Sequence, residues 1–338
     1  MPAPMSRVLA GPLSVVMVTY NSAPAVRATL PALCRQLGSG DELVVVDNRS
    51  ADATVAAVRQ LAPAATVVES PANVGFAAGV NAGARAAQGD LLVILNPDAV
   101  PGEGFVEAIR SPSGDWAAWM GLVRAGDGVN SSGGIVHFTG IAWAGQAEPA
   151  GTREVAFLSG ACLAIPRQTF LAAGGFAEPY FMYQEDVDLS LRLRLAGQRL
   201  GVEPAAVVDH DYEFAKGPDK WRLLERNRWA TILRCYPGAL LVLLAPALAA
   251  TELALLVVAA AGGWLPQKLA AAGETLRALP RLLRERRAVQ AARVISAAQF
   301  AAALTPALDS PFLGRAGRSR LLRRLLLGYW RLVLAGLR

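Results

Sequence analysis

The sequence predicts an α/β fold: a domain with a mostly parallel, doubly wound central sheet, then a helical, basic, apolar C-terminal region. Three observations predict it. Up to Leu95, short apolar runs rich in β-branched residues alternate strictly with helix-like stretches, the pattern of a parallel sheet with crossover helices. The runs ELVVV (42–46) and LLVIL (91–95) are continuously apolar, as strands covered on both faces are. Charge also divides the chain: residues 1–215 carry 13 Lys+Arg and 21 Asp+Glu, a net of −8, whereas residues 216–338 carry 20 and 6, a net of +14.

The elements follow in order. Leu13–Thr19 is a strand, Tyr20-Asn21-Ser22 a turn, and Ala25–Leu37 has helical spacing. Glu42–Val46 is a second strand ending at Asp47-Asn48, and Ser50-Ala51-Asp52 starts a helix over Ala53–Leu61. Thr66–Glu69 is a short third strand; Asn73–Gly89 begins as a glycine-containing loop and becomes an Ala-rich helix; Leu91–Leu95 is the fourth strand. Beyond Pro101 the pattern weakens, with antiparallel strands expected around Met120–Val123 and Ile135–Phe138. Phe157–Ile165 reads as a buried strand, Pro166–Ala173 as a helix ended by Gly174-Gly175, and Glu185–Ala196 as a helix. That helix is acidic in its first turn and basic near its end, matching the helix dipole, and Gly197 stops it. Leu200–Asp209 is a last strand that delivers His210.

Cys34, Cys162 and Cys235 are scattered and form no CxxC, so they read as reduced core thiols of a cytosolic protein. Met1–Gly11 lacks the charged start and long apolar stretch of a secretory signal. The acidic first part opposes a nucleic-acid binder despite the basic tail.

Three acidic stations are spaced to share the carboxyl edge of the sheet, where open α/β sheets bind ligands. Asn96-Pro97-Asp98 follows the fourth strand, and Pro97 ends the ladder because it has no N–H to donate. Asp98 there can hold a hard divalent cation that bridges phosphate oxygens. Asp47 follows a buried strand; its carboxylate suits a pyrimidine N–H or sugar hydroxyls, or caps a turn with Ser50. Gln184-Glu185-Asp186-Val187-Asp188 clusters carboxylates whose repulsion raises their pKa values, which helps a base near neutral pH. Around Asn73-Val74-Gly75-Phe76, and at Gly79 and Asn81, small residues beside a helix start permit close approach of backbone to phosphate; for Gly79 and Gly83, tight helix–sheet packing is the other reading. Of the two histidines, His210 at a strand end reads as functional and His137 as structural. Trp116, Trp119 and Trp143 suit either sugar stacking or the core.

In this order, VTYNS (18–22), VVVDNRSADAT (44–54), NVGFAAGVNAG (73–83), ILNPDA (94–99), FLSGACLAIPR (157–167), GGF (174–176) and QEDVDLSLRLRLAG (184–197) resemble family 2 inverting glycosyltransferases, rhamnosyltransferase-like branch, over about residues 12–215. The resemblance implies a GT-A nucleotide-sugar-binding domain over 1–215. It implies a donor pocket of Thr19, Asn21, Asp47, Asn48, Asn73, Gly75, Phe76, Asn81 and Asn96. It further implies Asp98 and His210 as ligands of Mg²⁺ or Mn²⁺, and Asp186 as the base with Glu185 beside it. Asn96 stands where the family's DxD motif has its first Asp, so the metal rests chiefly on Asp98. The implied reaction moves a sugar from a nucleotide-diphospho donor, dTDP-L-rhamnose above all, onto a cell-envelope glycan or polyprenyl-linked acceptor. A UDP-sugar galactofuranosyl or N-acetylhexosaminyl transferase and a silent sugar-nucleotide-binding scaffold remain as alternatives.

Residues 216–338 form the second expected region, helical and membrane-associating. Ala239–Gly263 is long enough to span a bilayer and has one charge, Glu252, but basic residues flank both of its ends. That pattern fits a re-entrant or in-plane hairpin better than a crossing. Leu276–Val294 and Ser319–Leu337 mix Leu with Arg at helical spacing, as helices on an anionic inner-membrane surface do.

Overall fold

In a computed structural model of the chain, residues 11–210, 219–310 and 319–338 are described. The expected boundary at residue 215 and, apart from Gly11, the stretch read for a signal lie outside the described residues. The chain separates into two compact units. One holds the described residues in 11–134, 144–190 and 198–210; the other holds those in 135–143, 191–197, 219–310 and 319–338.

In chain order the elements to residue 210 are β1 (Leu13–Thr19), α1 (Ala23–Cys34), β2 (Glu42–Asp47), α2 (Thr54–Leu61), β3 (Thr66–Glu69), α3 (Gly75–Ala86), β4 (Leu91–Leu95), β5 (Val100–Pro101), α4 (Phe105–Arg110), β6 (Ala118–Ala125), β7 (Gly128–Ser131), β8 (Gly134–Val136), β9 (Ala142–Ala144), β10 (Arg153–Glu154), β11 (Cys162–Pro166), α5 (Arg167–Ala172), α6 (Glu185–Leu195) and β12 (Leu200–Asp209). The main sheet has the order β10-β12-β6-β11-β4-β1-β2-β3. Strands β4, β1, β2 and β3 run parallel, whereas β11 is antiparallel to both of its neighbours, β4 and β6. The sheet is therefore mixed but mostly parallel. Every residue of β1 and of β4 is buried, which is why neither alternates in polarity. Gly79 and Gly83 of α3 press against Val18 and Val16, where an added Cβ would come within 2.8 and 2.4 Å. Their smallness serves helix–sheet packing.

Two strand boundaries differ from the sequence expectation. β11 starts at Cys162 rather than Phe157, because the backbone of 158–160 turns to α6: Leu158 N–H donates to Ser190 Oγ (3.0 Å) and Gly160 N–H to Asp186 Oδ2 (3.0 Å). β8 stops at Val136 because His137 enters a tight turn, with Gly140 N–H donating to His137 O (2.8 Å). Cys162 and Cys235 are buried free thiols, and burial pushes Cys162 up to about 12.

The later elements are α7 (Asp219–Cys235), α8 (Gly238–Ala261), α9 (Leu265–Ala291), α10 (Ala297–Ala301) and α11 (Arg320–Gly336). α7 was not legible in the sequence, because its buried residues include Lys220, Glu225, Asn227, Arg228 and Arg234, which break any apolar stripe. These charges meet partners. Arg228 donates to Glu225 (3.1 Å) and also pairs with Glu252 of α8; Lys268 of α9 pairs with Glu225 and with Glu252, the latter at 2.6 Å. Arg228 Nη1 further donates to Thr139 O (2.9 Å). Glu252, the one charge of α8, is half-buried and thus closes a four-residue ion cluster whose other members, Glu225, Arg228 and Lys268, are buried.

Candidate active site

The parallel register sets Thr19 beside Asp47 at the carboxyl ends of β1 and β2. Thr19 Oγ1 donates to Asp47 Oδ1 (2.8 Å), and Ser50 donates to both carboxylate oxygens, from Oγ at 2.6 Å and from N–H at 2.8 Å. Asp47 is thus fixed by the turn it caps, and a carboxylate with about four acceptor positions keeps one for a ligand. Asn21 ties the first loop to the second: its N–H donates to Ser50 Oγ (2.9 Å) and its Oδ1 accepts from Ala51 N–H (2.8 Å). Asn48 is buried; its Nδ2 donates to Gly75 O (3.0 Å), while its Oδ1 has no hydrogen-bond partner.

Gly75 opens α3 with φ +85°, and Asn73 Oδ1 accepts its N–H (3.0 Å). A Cβ there would lie 2.5 Å from Phe181 O, so the position requires glycine for both conformation and space. Ala77 N–H donates to the same Phe181 oxygen (3.1 Å). The loop at Asn73–Phe76 therefore leans directly on the segment that leads into α6. Phe76 lies 6.0 Å from Phe176 between ring centroids. Asn81 does something else: its amide donates to Phe176 O (2.9 Å) and Glu178 (3.1 Å) and accepts from Phe176 N–H (2.9 Å). It holds the Gly174–Phe176 turn, and all of its polar atoms are engaged by protein.

Acidic residues gather where α6 begins. Asp186 accepts from the N–H groups of Gly160 (3.0 Å) and Val187 (2.8 Å). Asp188 is fully buried, and Tyr180 Oη donates to it (3.3 Å). Glu185 is buried with Oε2 unpartnered, and Gln184 Oε1 is buried and unpartnered beside it. Burial first, then the adjacent Asp186 charge, pushes Glu185 well above the usual carboxylate range. Burial also raises Asp186, against the pull of the Gly160 and Val187 amides.

Backbone strain marks the same loops. Among the described residues, the non-glycine residues with positive φ are Asn21 (48°), Arg49 (61°), Phe181 (66°), Tyr183 (70°) and Gln184 (67°). All five lie in the loops after β1 and β2 or just before α6. Such conformations cost on the order of 1–3 kcal/mol each and persist where the surroundings over-determine them, typically at functional sites.

Asn96 N–H donates to Ala161 O (3.0 Å), which joins the end of β4 to the start of β11. Asp98 is half-exposed, and its Oδ1 lies 3.0 Å from Nε2 of the buried His210. The two residues expected to hold metal thus meet. Among the described residues no three His, Cys, Asp or Glu side chains cluster to cage an ion. One carboxylate and one imidazole fit a cation that takes its other ligands from phosphate and water.

Of the two readings open for the tryptophans, Trp119 and Trp143 take the core one. Trp119 is buried, with Nε1 donating to Ile109 O (2.9 Å), and Trp143 is buried too, so neither offers a face to a sugar. Trp116 lies under the Arg199 guanidinium, 4.8 Å from its ring. His137 is buried, bonded to Thr139 Oγ1 (2.7 Å), and pushed down to about 3 by burial; it is structural, as read. Sequence reasoning missed the Gly160 amide, Tyr180 and the strained 181–184 segment. Only a glycine inside the run 157–165 hinted at the first.

This sheet, with carboxylates and strained loops at its carboxyl edge, defines a glycosyltransferase of the GT-A class. The chain belongs to glycosyl transferase family 2, whose family model matches residues 14–167. It is 32% identical over 241 residues to the N-acetylglucosaminyl-diphospho-decaprenol L-rhamnosyltransferase of Mycobacterium tuberculosis, covering 61% of this chain and 78% of that one. Solved structures show the same fold. GalNAc-T7 with UDP, GalNAc and Mn²⁺ superposes with a TM-score of 0.57 at 15% identity, over 67% of this chain and 48% of that one. The mannosyltransferase PcManGT of Pyrobaculum calidifontis, with GDP-Man and Mn²⁺, gives 0.51 at 23%, over 83% and 86%.

Proposed function

We propose that the protein is an inverting L-rhamnosyltransferase that uses dTDP-L-rhamnose and a polyprenyl-diphospho-N-acetylglucosamine acceptor at the cytoplasmic face of the plasma membrane. The observation that carries the reaction class is the carboxyl cluster at the start of α6, where Asp186 is raised by burial yet aimed by two backbone amides. The L-rhamnosyl group and the acceptor follow the name of the mycobacterial relative, and the dTDP carrier is what the family resemblance implies.

In this reading Asp186 accepts the proton of the acceptor hydroxyl as that oxygen attacks the anomeric carbon. Attack comes from the face opposite the leaving diphosphate, so the configuration inverts. Glu185, pushed well above the usual carboxylate range by burial and by the adjacent Asp186 charge, gives up its proton less readily and so limits negative charge beside the base. Asp47, Thr19, Asn21 and Asn48 receive the nucleoside, with Asn48 Oδ1 as an acceptor still open. Asn73, Gly75, Phe76 and Asn96 border the sugar-phosphate, whereas Asn81 acts as a strut. Asp98 and His210 would hold Mg²⁺ or Mn²⁺, which when bound neutralises charge on the diphosphate. Residues 216–338 form the membrane-associating region.

The test is transfer by the purified full chain, with Mg²⁺ or Mn²⁺, from a panel of dTDP-, UDP- and GDP-sugars to polyprenyl-diphospho-N-acetylglucosamine. Product from dTDP-L-rhamnose alone is expected. A preference for a UDP-sugar would discard rhamnosyl transfer, and binding of no donor at all would leave a silent scaffold.

A further inference from the structure

The exposed large apolar side chains are unevenly placed. Among the described residues all but Tyr20 and Val74 lie between Val242 and Leu332, in α8, α9, α11 and the segment after α9. α8 is long and apolar enough to cross a membrane, yet only 11% of its most apolar stretch is buried. The buried side, Leu240, Leu244 and Leu248, lies on one face. Val242, Leu253 and Val257 face outward at 75, 67 and 70% exposure.

α11 adds a second outward stripe. With residues 100° apart around a helix, Leu321, Leu325 and Leu332 fall in one line, and all three are more than 60% exposed. On one flank of this line Tyr329 and Gly336 touch α8: Tyr329 Oη donates to Leu243 O (2.5 Å), and a Cβ on Gly336 would lie 3.2 Å from Leu243. On the other flank Arg320, Arg324 and Arg331 form an exposed row, and α11 has no acidic residue. Apolar α8 face, leucine stripe and arginine row therefore succeed one another around the α8–α11 contact. An apolar surface bordered by guanidinium groups suits a leaflet whose headgroups are anionic.

The same region opposes a crossing. Glu252, midway along α8, is bound to Arg228 of α7 and Lys268 of α9, which also hold Glu225. A transbilayer α8 would carry these charges and the arginine-rich α9 packed beside it into hydrocarbon.

We infer that α8 and α11 form a monotopic docking surface, lying in the plane of an anionic phospholipid leaflet with α8 buried on one side only and no segment between Ala239 and Ala261 crossing. This rests on the membrane-associating reading above and fixes its geometry. It does not depend on which sugar is transferred.

The test is flotation of the full chain with phosphatidylglycerol-rich and with pure phosphatidylcholine vesicles. Binding to the former is expected, with clear weakening as salt rises. The exposed-site variant L321D/L325D/L332D should lose at least about a hundredfold in partition. R320Q/R324Q/R331Q should lose roughly fivefold per arginine, for the anionic vesicles only. Both should keep their donor affinity, so a failure of docking is separable from a failure of the catalytic reading. Topology is read in inverted membrane vesicles from expressing cells, with A239C or A261C in a C34S background and a membrane-impermeant maleimide. Labelling at both ends of α8 before detergent is expected. Protection of one end until detergent is added would show a crossing, absent binding to both vesicle types would show a solvent-facing lid, and equal binding to the two would show a surface indifferent to anionic headgroups; each would overturn the inference.

Discussion

Two groups of charge are withdrawn from water in this molecule, and they are built in opposite ways. Around Arg228, four ionisable residues of alternating sign are closed on one another, and Arg228 also donates to the backbone at Thr139. At the start of α6, three carboxylates of one sign crowd together, with Glu185 Oε2 and Gln184 Oε1 left without partners. A buried cluster that satisfies itself fixes a packing arrangement but has nothing left to offer a ligand. A cluster that cannot satisfy itself is held there by the rest of the fold, and its open valences are what a substrate or a proton can use. The strained residues Phe181, Tyr183 and Gln184 sit on the second kind of cluster, in keeping with strain being maintained where function requires it.

Breaking each side of this comparison should have different consequences. The largest effect is expected from Asp98→Ala. Losing the carboxylate that would hold the cation should lower kcat/KM for the donor about a thousandfold, with Mn²⁺-dependent nucleotide binding, measured by calorimetry, falling in parallel. Arg228→Met comes next. It leaves the buried Glu225 and the half-buried Glu252 with Lys268 alone and should cost about 3 kcal/mol in the denaturant-unfolding transition, while dTDP binding before that transition stays unchanged. Gly75→Ala is smaller. It forces a side chain against Phe181 and should cost about 1–3 kcal/mol, read as a lower kcat because the displaced 181–184 segment leads into the helix start that holds Asp186. The mildest is a pH profile. Asp186 must be ionised to act and its carboxyl is raised, so the acid limb of kcat should lie above the range where an ordinary aspartate titrates. An acid limb at ordinary aspartate pH would remove burial from the account of the base.

The legible part of the fold was the part whose residues obey one local rule. β1, β2 and β4 are continuously apolar because both faces are covered, and the acidic stations were found because each follows a strand or opens a helix. What was illegible depends on distant partners. α7 could not be read because its charged residues are buried by pairing with α8 and α9, a compensation invisible within one helix. The early end assigned to β11 failed for the same reason: residues 157–161 look like strand, but the Gly160 amide is committed to Asp186. Asn81 looked like a ligand-binding residue because it lies in a glycine-rich loop motif, whereas its partners are almost a hundred residues away, at Phe176 and Glu178. Glu252 read as an obstacle to an ordinary single span; which residues hold it, Arg228 and Lys268 on two other helices, was beyond the reach of the sequence.

The most direct test of the central claim is Asp186→Asn, followed by thermal unfolding and by sugar transfer on the same preparation. The substitution removes one charge from an overcrowded cluster and keeps its shape. The account predicts an unfolding temperature equal to or above that of the parent, donor binding retained, and transfer reduced by roughly a hundredfold to ten-thousandfold. Turnover near the parent rate would contradict it, because Asp186 would then be neither the base nor the reason the cluster is left unsatisfied.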